Sequence, residues 1–226
     1  MKIIYLLSGP GTKEGFSKEI KDVLKKDLKN KKQITFIASS PDNYSKNDLY
    51  VYGDGDKVTG MKNHLKEVTT LDNINILDSR VSADAGKKLI LSSEIVYLLG
   101  GDPQSQLKYL QDNGYDKALE EYQGIILGTS AGAMNLAVDA YYSKDEDYDK
   151  SFFYKGVGIV DITVDPHFDI DNFEQVSEDK KYSNTRVIIG LPNESAIRID
   201  NNEVTYINKC FIFNKGKFKE ESNEEN

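Results

Sequence analysis

The sequence predicts a single α/β domain built on a mostly parallel sheet. Buried-type strands alternate with amphipathic helices along most of the chain, and strand ends carry Gly, Pro or Asp punctuation. A chain of 226 residues is also long enough for one domain to bury about 70% of its unfolded surface. The opening KIIYLLSG is a continuous apolar run that turns at once into Gly-Pro-Gly, so it reads as a first buried strand, too short for a signal or membrane segment. Phe16, Ile20, Val23, Leu24 and Leu28 then fall on one helical face. Gln33 to Ala38 and Ile74 to Leu77 read as strands, Ala83 to Leu91 as helix, and Glu94 to Leu99 as the next strand. After Thr129 a helix-favouring run follows, and the carboxy-terminal part changes character. Ala196 to Ile199, Glu203 to Ile207 and Cys210 to Phe213 are short strands linked by Asp-Asn-Asn and Asn-Lys-Gly turns, the mark of antiparallel pairing. The domain is expected to span 1–218, with the acidic segment 219–226 disordered.

The most informative stretch is QGIILGTSAGAMNLAV, from Gln123 to Val138. An apolar strand stops at Gly128-Thr129-Ser130-Ala131-Gly132 and a helix follows, which is the context a nucleophile elbow requires. The flanking glycines are there because a Cβ would strike the neighbouring strand or helix. Ser130 is the expected nucleophile, and the amide of Ala131 an expected oxyanion donor at the start of the helix.

A serine hydroxyl needs a base near neutral pH, usually imidazole. The chain has two histidines. His64, in GMKNHLKEV, falls beside an apolar stripe of Met61, Leu65 and Val68 and reads as a solvated helix residue. His167, in VDITVDPHFD, follows the β-branched run Ile159 to Val164 and stands directly after Pro166. That places it at a strand end or in a rigid loop, where a base belongs. The group that orients the imidazole should be a carboxylate or amide on another loop. Glu194, after the strand-like RVIIG and a Leu-Pro break, is favoured, followed by Asp145 in the acidic loop SKDEDYDK and then Asn193.

SSEIVYLLGGDPQSQLKYL supplies a further part of the site. The strand ends in Gly100-Gly101-Asp102, and Asp102 followed by Pro103 is a helix start signal. Two glycines at a strand end let the backbone approach a ligand closely, so the Gly101 amide is the expected second oxyanion donor. The segment lacks both the G-x-G-x-x-G spacing and the lysine of a phosphate-binding loop.

LLGGD at 98–102, GTSAGA at 128–133, DPHF at 165–168 and GLPNESAI at 190–197 resemble the serine peptidases that include peptidase E, the aspartyl dipeptidase, and cyanophycinase. The resemblance runs in the same order from about Lys2 to Phe213. It implies a three-layer, flavodoxin-like α/β sandwich akin to class I glutamine amidotransferases, with serine where those enzymes use cysteine. It places the nucleophile on Ser130, the base on His167 and the oxyanion amides on Gly101 and Ala131. In peptidase E and cyanophycinase the acidic residue of the last motif aligns with Asn193, and in other relatives one place later. Cyanophycinase carries arginines shortly after its histidine. This chain reads DPHFDIDNFEQ there, so degradation of an arginine-bearing polymer is not expected. The aspartate preference of peptidase E implies a cation in its pocket, whereas Arg80, Arg186 and Arg198 here read as surface residues.

Composition agrees with a cytoplasmic enzyme. A formal charge of −8 disfavours nucleic acid, because phosphate contacts need concentrated cationic surface. Cys210 is the sole cysteine, so no internal disulfide forms and a buried strand thiol is expected. No H-E-x-x-H or comparable histidine cluster points to a metal. The expected function is a serine exopeptidase or dipeptidase that takes short peptides without a cofactor or metal, free of nucleic acid and membrane, as monomer or homodimer. The alternative is a catalytically silent binding module on the same fold.

Overall fold

The computed structural model describes residues 2–9, 15–54, 59–146 and 148–222. In chain order the elements are β1 (Ile3–Leu7), α1 (Lys18–Asp27), β2 (Gln33–Ile37), α2 (Tyr44–Tyr52), α3 (Met61–Leu65), β3 (Asn73–Leu77), α4 (Ala83–Ser92) and β4 (Ile95–Leu98). Next come α5 (Pro103–Asp112), α6 (Tyr115–Glu121), β5 (Ile125–Thr129), α7 (Ala131–Asn135), β6 (Asp139–Tyr142), β7 (Phe152–Lys155) and β8 (Val164–Pro166). The chain closes with α8 (Phe173–Tyr182), β9 (Ile188–Leu191), β10 (Ala196–Asp200), β11 (Glu203–Ile207), β12 (Cys210–Asn214) and β13 (Lys217–Glu221).

The central sheet has seven strands in the order β11-β10-β1-β5-β4-β2-β3. β1, β5, β4, β2 and β3 run parallel, and β10 and β11 close one edge antiparallel. Because strand side chains alternate, Ile3, Tyr5 and Leu7 point to one face and Ile4 and Leu6 to the other. Both sets are buried. The first set packs with Ile20 and Leu24 of α1, Val51 of α2 and Leu65 of α3. The second packs with Ile90 of α4, Leu107 and Leu110 of α5, Leu119 of α6 and Met134 of α7. A sheet covered on both faces gives the three layers and explains the uninterrupted apolar strands.

A second sheet, β13-β12-β9-β8, stands beside the first with β8 and β9 parallel. Its aromatic core holds Phe168, Phe211, Phe213 and Tyr141. Several expectations are corrected here. Lys217–Glu221 forms β13 on β12 instead of fraying, and only 223–226 of the acidic end lie outside the described residues. The run Ile159 to Val164 is mostly loop, and the strand begins at Val164. His64 is buried at 8% exposure, its ring edge-on to Phe16, because Gly15 leaves room where a Cβ would lie 2.6 Å from Nδ1. Burial holds its pKa below the usual imidazole value, against a hydrogen bond with the Thr59 backbone. No helix among the described residues is long and apolar enough to cross a membrane.

α7 lies unusually close to the sheet. A Cβ on Gly132 would stand 2.3 Å from the Leu98 carbonyl oxygen, and one on Gly128 2.7 Å from the Gly132 carbonyl oxygen. Both obstacles are backbone, which cannot rotate aside. Gly132→Ala should therefore cost about 2 kcal/mol or more and lower Tm by roughly 4 °C or more in a calorimetric scan. An unchanged Tm would show that α7 and β4 are not in this contact.

Candidate active site

Ser130 sits where β5 gives way to α7 with φ 51° and ψ −116°, a strained backbone for a residue with a Cβ. Its N–H donates to the Leu7 carbonyl at 2.9 Å, and its own carbonyl accepts from the Met134 N–H at 3.0 Å. The turn is thus pinned to the end of β1 on one side and to the helix on the other. α7 itself is anchored by Asn135, wholly buried, whose side-chain amide donates to the Pro103 carbonyl at 2.9 Å and to Gln106 Oε1 at 3.1 Å. Gln106 in turn donates to the Leu99 carbonyl at 3.0 Å. With only five residues α7 offers exposed amides more than a macrodipole, which weakens the dipole part of the sequence argument.

His167 and Asn193 come from the second sheet. β8 and β9 are parallel with Pro166 opposite Leu191, so the residues that follow leave the same edge of the sheet side by side. His167 adopts φ 57°, and its N–H donates to Ser8 Oγ at 2.8 Å. Phe168, the next residue, packs its ring over Gly190, where a Cβ would stand 2.6 Å from the ring. The imidazole then meets two partners: Nε2 lies 2.9 Å from Ser130 Oγ, and Nδ1 lies 2.7 Å from Asn193 Oδ1. With an amide oxygen against it, Nδ1 carries the proton and donates, and the Nε2 lone pair faces the serine hydroxyl. Such a chain can remove a proton from Ser130.

The favoured orienter, Glu194, does not hold that position. Its φ of 66° turns the backbone just after Asn193, its N–H donates to the Gly9 carbonyl at 3.2 Å, and its carbonyl accepts from Asn208 at 2.7 Å. The tight turn aims Asn193 at the ring, which corrects the choice of Glu194. Asp145 accepts from the Tyr142 hydroxyl at 2.7 Å and the Tyr148 N–H at 3.0 Å.

Gly101 has φ 133°, open only to glycine without strain, and a Cβ there would lie 2.3 Å from Ser39 Oγ. The Ser39 hydroxyl donates to the Gly100 carbonyl at 2.6 Å, so the trans peptide turns the Gly101 N–H to the opposite side. Asp102 caps α5 by accepting from the N–H groups of Gln104 and Ser105. Gly101, Ser130, Ala131 and His167 share one pocket of about 220 Å³, completed by Pro103, Met134, Tyr142, Ser143, Asp145, Asp165 and Pro166. A larger cavity of about 670 Å³, bounded by Lys2, Gln123, Asp161 and Asn201, has no nucleophile and base together. The arginines do not line the site: Arg80 pairs with Asp48 and Asp78, Arg186 with Asp139 and Asp161, and Arg198 with Asp27 and Asp200. Among the described residues no cluster of His, Cys, Asp or Glu is placed to hold a metal ion. Sequence reasoning missed Ser8, which fixes the His167 backbone. Its only signal was its place at the end of a buried strand.

No curated protein sequence matches the chain. A crystal structure of a candidate peptidase E protein from Listeria monocytogenes EGD-e superimposes with a TM-score of 0.67 at 21% identity, covering 92% of this chain and 98% of that one. A peptidase from an acI-B1 Actinobacterium gives 0.61 at 15% identity, covering 98% and 94%. These likenesses establish a shared fold. The model of peptidase family S51 matches residues 4–207, a span that includes the elbow, the histidine loop and the Asn193 turn, and the chain belongs to that family.

Proposed function

We propose that the protein is a serine exopeptidase that cleaves short peptides near a free amino terminus through an acyl-enzyme. The observation that carries this reading is the chain Asn193–His167–Ser130, whose histidine and serine line a small pocket. Ser130 Oγ attacks the scissile carbonyl while His167 Nε2 takes its proton, and the N–H groups of Gly101 and Ala131 receive the oxyanion. The imidazolium returns the proton to the departing amine, and water, activated by the same ring, releases the acyl group. Asn193 holds the tautomer that leaves Nε2 free, the part an asparagine plays in papain-like Cys-His-Asn sites.

Two features support a short substrate with a free amine. The pocket, at about 220 Å³, is smaller than the roughly 300–1,000 Å³ of sites for drug-sized ligands. The carboxylate on its accessible lining is that of Asp145. A carboxylate there favours an α-ammonium group over an aspartate side chain.

Ser130→Ala should abolish peptide hydrolysis, with turnover falling on the order of 10⁴ to 10⁶, and should also abolish labelling by a fluorophosphonate. His167→Ala should do the same, whereas His64→Ala should act on stability and leave turnover nearly intact. A wild-type protein that resists the probe would favour the silent binding module.

Comparing Asn193→Ala, Glu194→Gln and Asp145→Asn tests the orienter. Asn193→Ala is expected to lower kcat about 10²-fold or more, and Glu194→Gln less than threefold. The reverse order would return the role to Glu194.

Blocking the substrate amine by acetylation should lower kcat/KM at least tenfold, about 1.4 kcal/mol of transition-state binding. Equal cleavage of free and acetylated peptides, or ready digestion of intact casein, would rule out an exopeptidase.

A further inference from the structure

Behind the His167 loop lies a buried polar group that the reaction does not use. Asp165, on β8 two residues before His167, is 1% exposed. Its carboxylate accepts from the Ser143 hydroxyl at 2.7 Å and from the Gln175 side-chain amide at 2.7 Å. Gln175 also accepts from the Asp169 N–H at 3.0 Å, so one glutamine of α8 ties the chain on both sides of the histidine. One turn further along α8, Asp179 is wholly buried. It faces Asp165 from one side and the Tyr141 hydroxyl of β6 from another. With both carboxyls ionised neither Asp179 oxygen has a hydrogen-bond partner, and only a proton between the two carboxyls, or the facing Tyr141 hydroxyl, can supply one.

The surroundings offer little to stabilise a second charge. Phe168, Phe213, Ile188 and Tyr182 pack around Tyr141. The other titratable groups facing the pair are Glu178 on α8 itself and, across Asp165, His167 at the end of β8. Two neighbouring carboxylates in such a setting cannot both be ionised. Asp165 accepts from two donors, whereas only the Tyr141 hydroxyl faces Asp179, so the negative charge belongs on Asp165 and the proton on Asp179.

We propose that Asp179 is a positioning residue, held as a neutral carboxylic acid that offers its proton to ionised Asp165 and so locks, through Asp165 and Gln175, the loop that aims His167 at Ser130. Burial pushes the Asp179 carboxyl well above the usual carboxylate range, and the charge on Asp165 pushes it further. Burial also raises Asp165, against the hydrogen bonds from Ser143 and Gln175. The folded chain therefore keeps a proton that the unfolded chain releases near pH 4. A raised folded value makes this contribution to stability complete below that pH and progressively lost as pH rises toward the folded value.

The test compares the full-length wild type with Asp179→Asn, which cannot titrate. Between pH 5 and pH 8 the Tm difference should move in favour of the variant by at least about 4 °C, whatever its sign at pH 5. A pH-independent difference, or movement in favour of the wild type, overturns the proposal. The wild type at pH 7 should also show the infrared carbonyl band of a protonated carboxylic acid, and its absence would overturn the proposal even if the variant failed to fold. For positioning, wild-type kcat should fall on the alkaline side while Asp179→Asn keeps its activity there. Asp179→Leu should lose about tenfold in kcat at neutral pH with KM within threefold, a loss that asparagine largely restores. An unchanged alkaline limb in Asp179→Asn, or a Leu variant affected mainly in KM, would remove the positioning role. This activity arm rests on the peptidase reading, whereas the unfolding and infrared arms need no substrate, so failures of the two ideas are distinguishable.

Discussion

The close approach of α7 to β4 and β5 is the constraint on which the site depends. Backbone meets backbone there because Gly128 and Gly132 have no Cβ to keep the layers apart. Strand-to-helix reversal in so little space forces one residue into a strained conformation, and that residue is Ser130. The strain persists because the surroundings over-determine it: Leu7 holds the serine amide, and Asn135 and Gln106 clamp the far end of the helix onto β4 and α5. An exposed hydroxyl is thereby fixed on rigid elements, as pre-organised chemistry requires.

The second sheet supplies what the first cannot. A parallel sheet presents its loops at one edge, and β8 and β9 bring the His167 imidazole to Ser130 from outside the β5 turn. An amide at the third position changes the electrostatics of the site. In the proposed reaction it fixes the tautomer as a carboxylate would, yet offers no full charge to an imidazolium, so more of the transition-state stabilisation would fall to the oxyanion amides and to acidic groups at greater distance.

Much of this was legible in the sequence. Strands with both faces buried read as continuous apolar runs, and β1 to β5 emerged within a residue or two. The place of Ser130 at a strand-to-helix turn was readable because its motif carries steric meaning, and that of His167 at a strand end because Pro166 and the strand before it limit where it can stand. Asn193 against Glu194 was not, since adjacent residues share every local signal and only the φ of 66° at Glu194 separates their directions. α2 escaped notice because YSKNDLYVY has no clear polar face, with Tyr44, Leu49 and Tyr52 left exposed. The membership of β12 and β13 in a separate sheet depends on pairing across the chain, which no local pattern encodes. His64 was misread for the same reason: its neighbours Gly15 and Phe16 are remote in sequence.

The division of Ser130 from His167 and Asn193 between two sheets separates two kinds of adjustability. His167 and Asn193 leave adjacent strands of one ladder, so their spacing is quantised by interstrand hydrogen bonds and travels as a cassette. The gap between that cassette and Ser130 is set instead at the seam, where the hydroxyl of Ser8 at the end of β1 lies under the His167 backbone. Volume there can change by single methylene groups. Evolution or design can thus retune reactivity by fractions of an ångström at the seam, leaving the tautomer-setting couple untouched.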